Sequence, residues 1–325
     1  MITLRQHLIS LIAVFLALGL GVLAGTTFVT PGTVKALRNS LNALANRDNQ
    51  VESQSHQLQQ QLSGLLADAS AARDQLVSGV LSGRVTVLVA FDSTPQSEVA
   101  NMATTLVEAG ARLEGSYVLS SDLGLPDDAS RQQVAAALGL PVNSSDGTVE
   151  TAEVQRMADW LDGKSSGVIG KLVAAGLATS NSVPSPPVGA PAVTGSATDV
   201  VLLAPSQTLA TSSPRSPNLG PQLLLPLARA LSATGVLLAV GEDGTNPLPV
   251  LQLLRGDSTV KAVTADGVDE PIGQARIVLG LRDAAAGIYG DYGNGPGSST
   301  QLPTPLPPSS PALTASPGAT ARPSS

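Results

Sequence analysis

The chain has 325 residues, enough for two domains, and a formal net charge of −7 with no run of Lys and Arg. That balance excludes binding to nucleic acid by counterion release, so no nucleic-acid partner is expected. The sequence has no cysteine, which removes disulfides, zinc–thiolate sites and thiol nucleophiles together.

Leu8 to Val34 carries no charged residue, and its first part reads LISLIAVFLALGLGVLAGTTFV. About 20 apolar residues cross a bilayer core as a helix, and a helix apolar on all sides has no place in water. A removable signal peptide ending near Val22-Leu23-Ala24 is the rival reading. The length of the run, and heptads that begin soon after it, favour an uncleaved signal anchor. Arg5 lies on one side of the span and Lys35 and Arg38 on the other, so the charge bias is weak. The early position of the span, with no second one, favours export of the rest of the chain. Ala13, Ala17, Gly21 and Gly25 fall at four-residue spacing, a small-residue stripe that lets two helix backbones approach closely.

Leu37, Leu41, Leu44, Asp48, Val51, Ser55, Leu58, Leu62, Leu65, Ala69, Ala72 and Leu76 alternate spacings of four and three. This is a heptad seam, with Leu37 at d and Leu41, Asp48, Ser55, Leu62, Ala69 and Leu76 at a. Asp48 and Ser55 weaken the seam and can set register. At 1.5 Å per residue such a stalk would reach roughly 60 Å. A homo-oligomer through stalk and span is expected, and a lone helix packed on its own domain is the bland alternative.

RVTVLVAFD, at Arg84–Asp92, reads as a buried parallel strand. A helix from Ser97 to Ala109 and a strand near Leu113–Leu119 come next, then helices over Ala129–Leu138, Thr151–Leu161 and Val168–Ala175. Further on, a strand is predicted at Asp199–Ala204, a helix over Leu219–Ala233 and a strand at Val236–Val240. A helix near Pro247–Leu254, a strand near Lys261–Thr264 and a last strand at Arg276–Leu281 complete the series. Alternating strands and helices imply a mostly parallel three-layer α/β sheet. Ser180–Ser196 and Pro205–Pro221 read as surface loops. From Asn294 to Ser325 the Pro/Ser/Thr-rich, nearly uncharged chain is predicted to be a disordered tail.

The chemistry is sparse. His7 and His56 precede the α/β region, so no Ser-His-Asp or Cys-His mechanism operates there. Lys164, Lys171 and Lys261 have no Ser-Lys motif around them. Phe91-Asp92-Ser93 ends the first strand with no glycine-rich phosphate loop. Gly241-Glu242-Asp243-Gly244 reads as a strand-to-helix turn. Asp266, Asp269 and Glu270 lack calcium-loop spacing and read as a solvated turn. Gly287 to Gly293 holds two of the three tyrosines among glycines, as a closing hairpin or a recognition surface. Copper favours thioether and imidazole ligands, and Met1, Met102, Met157, His7 and His56 form no motif. No resident cofactor is expected.

Two stretches carry a resemblance. Met1-Ile2-Thr3-Leu4-Arg5-Gln6-His7 with Ala13-Val14-Phe15-Leu16-Ala17-Leu18-Gly19-Leu20-Gly21 opens the chain. Val268-Asp269, Arg276-Ile277-Val278-Leu279, Tyr289-Gly290 and Tyr292-Gly293-Asn294-Gly295 close it. Across residues 1–295 the chain resembles the actinobacterial copper transport protein MctB family. The resemblance implies a role in copper homeostasis, as a channel or efflux component of the outer envelope, with copper as the transported ion.

The expected organisation is a cytoplasmic tip and transmembrane anchor at 1–33 and a coiled-coil stalk at 34–80. An extracytoplasmic α/β domain occupies 81–293 and the tail 294–325. The function expected is a non-enzymatic, membrane-anchored envelope protein of copper transport, working inside an oligomeric export assembly. The alternative is an envelope scaffold presenting an α/β binding module on a dimeric stalk.

Overall fold

The computed structural model describes residues 4–28, 31–165, 167–184, 199–205, 220–244 and 250–303. They divide into two compact units that meet in sequence at Ala67 and Asp68.

In the first unit, α1 (Leu4–Phe28) contains one stretch, Gln6–Gly25, long and apolar enough to cross a membrane. The Leu, Ile, Val and Phe side chains from Leu8 to Leu23 are exposed on every side. A Cβ placed on Gly21 or Gly25 meets no atom within 4 Å, which leaves the small-residue face open. Helix α2 (Pro31–Val77) runs for 47 residues and opens on a proline, which the first helical turn tolerates. Its seam residues Leu37, Leu41, Leu44, Val51, Leu58, Leu62 and Leu65 are 58–66% exposed, and Leu76 is 46% exposed. The predicted helix is therefore present, with its apolar seam side chains from Leu37 to Leu65 exposed.

The second unit is built on a seven-stranded sheet in the order β3-β2-β1-β4-β5-β6-β7. The strands are β1 (Val85–Phe91), β2 (Arg112–Leu119), β3 (Ala178–Asn181), β4 (Asp199–Leu203), β5 (Leu237–Glu242), β6 (Val263–Asp266) and β7 (Asp291–Tyr292). All neighbours pair in parallel except β2 and β3. Strand β1 lies inside the sheet, beside the central β4, because VTVLVAF offers apolar or β-branched side chains to both faces, and all its positions are buried. Leu88, Ala90, Val201 and Leu203 point to one face, where α3 (Gln96–Glu108), α9 (Pro271–Ala285) and Val77 at the end of α2 close one core. Val87, Val89, Phe91, Val200 and Leu202 point to the other. There α4 (Asp128–Leu138), α5 (Asp146–Leu161), α6 (Gly167–Ala174), α7 (Leu225–Ser232) and α8 (Leu251–Arg255) close the second core. The three-layer arrangement results from this alternation.

Several expectations need correcting. Arg276–Leu281, read as a last strand, is the middle of α9. Every residue from Gly273 to Leu281 is buried, so no polar face marks a helical period. The antiparallel edge strand β3 occupies the start of the segment expected to be a loop from Ser180. The predicted helix over Leu219–Ala233 begins as a single π turn, Gly220–Leu224, before α7. The Tyr-rich segment forms a two-residue edge strand parallel to β6 and no hairpin. Residues 294–303, assigned to the tail by composition, are tied to the sheet edge: the Gly295 N–H donates to Asp266 Oδ2 at 2.7 Å and Arg276 Nε donates to the Gln301 carbonyl at 2.7 Å. The rest of the predicted tail, 304–325, lies outside the described residues, as do most of the two predicted loops and the start of the helix expected at Pro247.

One buried carboxyl sets a pH dependence. Glu153 on α5 is 1% exposed and its Oε1 has no hydrogen-bond partner. Burial, and then the nearby Glu150, hold its pKa well above the ordinary 4.5. A raised folded-state pKa means that the native chain keeps a proton that the unfolded chain releases. The associated stability is complete below about pH 4.5 and is lost as pH rises through the folded value. Glu153→Gln removes this loss. Its melting temperature should match the parent at pH 4.5 and exceed it at pH 8, as tracked by thermal denaturation across that range.

Candidate functional site: an acidic cleft at the carboxyl edge of the sheet

In parallel α/β sheets, ligands gather beyond the carboxyl ends of the strands. Here the exits of β5 and β6 form such a place. Glu242, Asp243 and Gly244 leave β5; Asp266, Gly267, Asp269 and Glu270 leave β6; Arg276, Asn294, Gly295 and Pro296 complete a cavity of about 430 Å³.

Most of its polar groups hold one another. Glu242 is 2% exposed and accepts from the Val250 N–H at 2.7 Å and the Leu251 N–H at 3.3 Å. Its carboxylate thus caps the start of α8, where helix N–H groups lack intrahelical partners. Asp269 Oδ1 accepts from the Gly244 N–H at 3.0 Å, stitching the two strand exits together. Asp266 pairs with Arg255, whose Nη1 lies 3.1 Å from Oδ1. Arg255 also donates to Thr264 Oγ1 at 2.8 Å and to the carbonyls of Pro296 at 3.0 Å and Tyr292 at 3.2 Å. Its side chain is only 3% exposed. One buried guanidinium therefore fixes β6, β7 and the segment after β7. Arg276 donates from Nη1 to the Asp266 carbonyl at 2.9 Å, and burial pulls its pKa below the usual guanidinium value.

At the start of α3 stands Glu98, 5% exposed, with no hydrogen-bond partner on Oε2. Burial raises its pKa to about 7, helped by the charges of Asp243 and Asp269. The edge is electronegative, and Glu98 gains or loses its charge near neutrality. Asp266, expected in a solvated turn, is instead an ion-paired wall of the cleft, while Asp269 and Glu270 are exposed as expected. The Gly241–Gly244 segment leads from a strand toward a helix. Arg276 opens one of the stretches that carry the resemblance, but as members of this edge Arg255, Arg276 and Glu98 do not stand out in the sequence. Their only local signal is an isolated charge next to an apolar run.

Of the copper-favouring side chains, Met1 lies outside the described residues. His7 lies on α1 and His56 on α2, where its Nε2 is 3.9 Å from Glu52. Met102 and Met157 are fully buried in the cores on opposite faces of the sheet. Among the described residues no three of His, Cys, Asp and Glu converge to hold a metal ion. Lys164 is exposed and paired with Asp162 at 2.5 Å. The expected span residues Ala13, Ala17, Gly21 and Gly25 all lie on α1, and the seam residues on α2.

Fold and cleft together define a mixed α/β protein with an acidic strand-exit cleft and one N-terminal helix able to cross a membrane. The chain belongs to the family described as copper transport outer membrane protein, MctB, whose model matches residues 1–303. It is 28% identical over 326 residues to the copper transporter MctB of Mycobacterium tuberculosis (strain H37Rv), covering 92% of this chain and 98% of that protein. The copper transporter MctB of Mycobacterium leprae is 28% identical over 328 residues, with the same coverage. The matched residues take in the segment held by Arg255 at Pro296 and by Arg276 at Gln301.

Proposed function

We propose that this chain is a single-pass, membrane-anchored envelope protein of copper transport and homeostasis, with its α/β domain outside the cytoplasm. The observation that carries the reading is the copper-transport family match across residues 1–303. It takes in the α1 span, α2 and the described α/β domain. The protein works as a component of an export assembly and is not an enzyme. Two features support that role. A lone helix cannot line a pore, and the described strands form one open sheet covered by helices on both faces, unlike a closed membrane barrel. The described copper-favouring side chains are distributed over α1, α2 and two separate cores, so a route for the ion draws on partners or further copies.

Deleting the gene should raise cell-associated copper, measured by elemental analysis, and the intact gene should restore it. Unchanged copper content together with unchanged copper sensitivity would reject the transport role. The reading left would be a scaffold that presents the acidic cleft as a binding module, which the cavity between the β5 and β6 exits favours.

A further inference from the structure

We infer that α2 pairs with α2 of a second copy as a parallel, in-register, two-stranded coiled coil, with Asp48 placed in the seam as a weak layer. The apolar stripe is the first observation. Seven seam side chains from Leu37 to Leu65 are 58–66% exposed along one continuous helix. The stripe holds the spacing of three and four throughout, as a two-helix seam requires and a single packed helix does not.

Charge selects the occupant and its direction. With Leu37 at d, Arg47 falls at g and Glu52 at e. In a parallel in-register pair each g residue faces the e residue of the next heptad on the other helix, so Arg47 meets Glu52 of the second copy, twice by symmetry. Asp68 at g faces Arg73 at e in the same way. In this structure Arg73 is already held by Asp74, Glu108 and Gln274, so Arg47 and Glu52 carry the selection. No like charges oppose each other across the g–e contacts. An antiparallel pair in the register that sets Asp48 against Leu58 sets Glu52 against Glu52. Opposite charges at these flanking positions favour the parallel arrangement, and like charges disfavour that antiparallel register.

Asp48 is what makes the pairing adjustable. At an a position it faces Asp48 of the second copy, flanked by Arg47 from both helices. Two carboxylates in one layer weaken the pair, whereas Asn at a single a position is accommodated and still fixes register. Pairing of α2 goes beyond the copper role and does not depend on it, because its test reads association and not metal.

The chain contains no cysteine, so single cysteines report contacts against a clean background. Leu44→Cys and Leu65→Cys are d positions, and Ser53→Cys lies on the outer face. In membranes carrying the full-length protein, mild oxidation should convert both seam variants largely to covalent dimers and leave Ser53→Cys monomeric. Disulfides form only where the Cβ atoms come close. Failure of either seam variant to cross-link, or equal cross-linking at Ser53, overturns the inference. Asp48→Asn supplies a second readout on the full-length protein in detergent: sedimentation should show dimer association tightened by about tenfold. An unchanged or weaker association contradicts pairing through this layer.

Discussion

Arg84→Met lowers the stability of the α/β domain by about 3 kcal/mol, because it removes the countercharge of a buried carboxylate. Asp199 opens β4, is 0% exposed, and sits beside Thr86 in the register of β1 and β4. Its carboxylate accepts from Arg84 Nε at 2.6 Å and from Nη2 of the same guanidinium. The two-pronged contact neutralises a charge that the sheet encloses. For a domain of this size the loss is a fall in melting temperature of roughly 10 °C. Trp160 is the only tryptophan, and its ring meets Tyr117 edge to face with centroids 5.1 Å apart. Its fluorescence therefore reports unfolding of this domain directly. Replacing both partners, Arg84→Met with Asp199→Leu, should recover most of the loss, since two apolar groups leave no charge to desolvate. A double variant no more stable than Arg84→Met would show that the pair is not the cause.

Gly273→Ala should be comparably damaging for a steric reason. Gly273 lies in the first turn of α9, and a Cβ there would stand 1.9 Å from the Gly267 carbonyl oxygen and 2.8 Å from the Val268 nitrogen. Both are backbone atoms of the β6 exit, so no side-chain rotation relieves the overlap. Either α9 lifts from the sheet or the floor of the cleft shifts, at a loss of about 3 kcal/mol. Gly170→Ala on α6 is the matched control, because its Cβ would meet nothing within 4 Å. That change should leave stability unaltered or raise it by up to about 1 kcal/mol through helix propensity. Trp160 melting curves separate the two. Equal melting temperatures for Gly273→Ala and Gly170→Ala would contradict the close packing of α9 on the strand exit.

The central sheet was readable from the sequence because burial on both faces leaves an unbroken apolar run. Strands β1, β2, β4 and β5 and helices α3, α4 and α6 lie within a few residues of their predicted limits. The misreading of α9 has the same origin. A helix enclosed on all sides loses its polar stripe, and RIVLGL alone does not distinguish it from a strand. Glu270-Pro271, with proline in the first helical turn, was the available signal of a helix start. Strand β3 has the sequence ATSN, with two exposed positions and no apolar alternation, because it lies at an edge. The segment 294–303 looks like tail because composition registers chain entropy and not a distant partner. Arg255 and Asp266, far away in sequence, hold it in place. The cleft was half legible: its carboxylates cluster in sequence, whereas Arg276 joins its lining, and Arg255 pairs with its Asp266, only through the fold. The apolar run and the heptad pattern each predicted a helix, and α1 and α2 are those helices.

The proposed role requires α1 to cross the membrane with the rest of the chain outside the cytoplasm. Ser82 is exposed, just before β1, and the chain has no other thiol to interfere. A Ser82→Cys variant treated in intact cells with a membrane-impermeant maleimide should be labelled as fully as after lysis. Labelling that appears only once the cells are broken would place the α/β domain inside and contradict an envelope role.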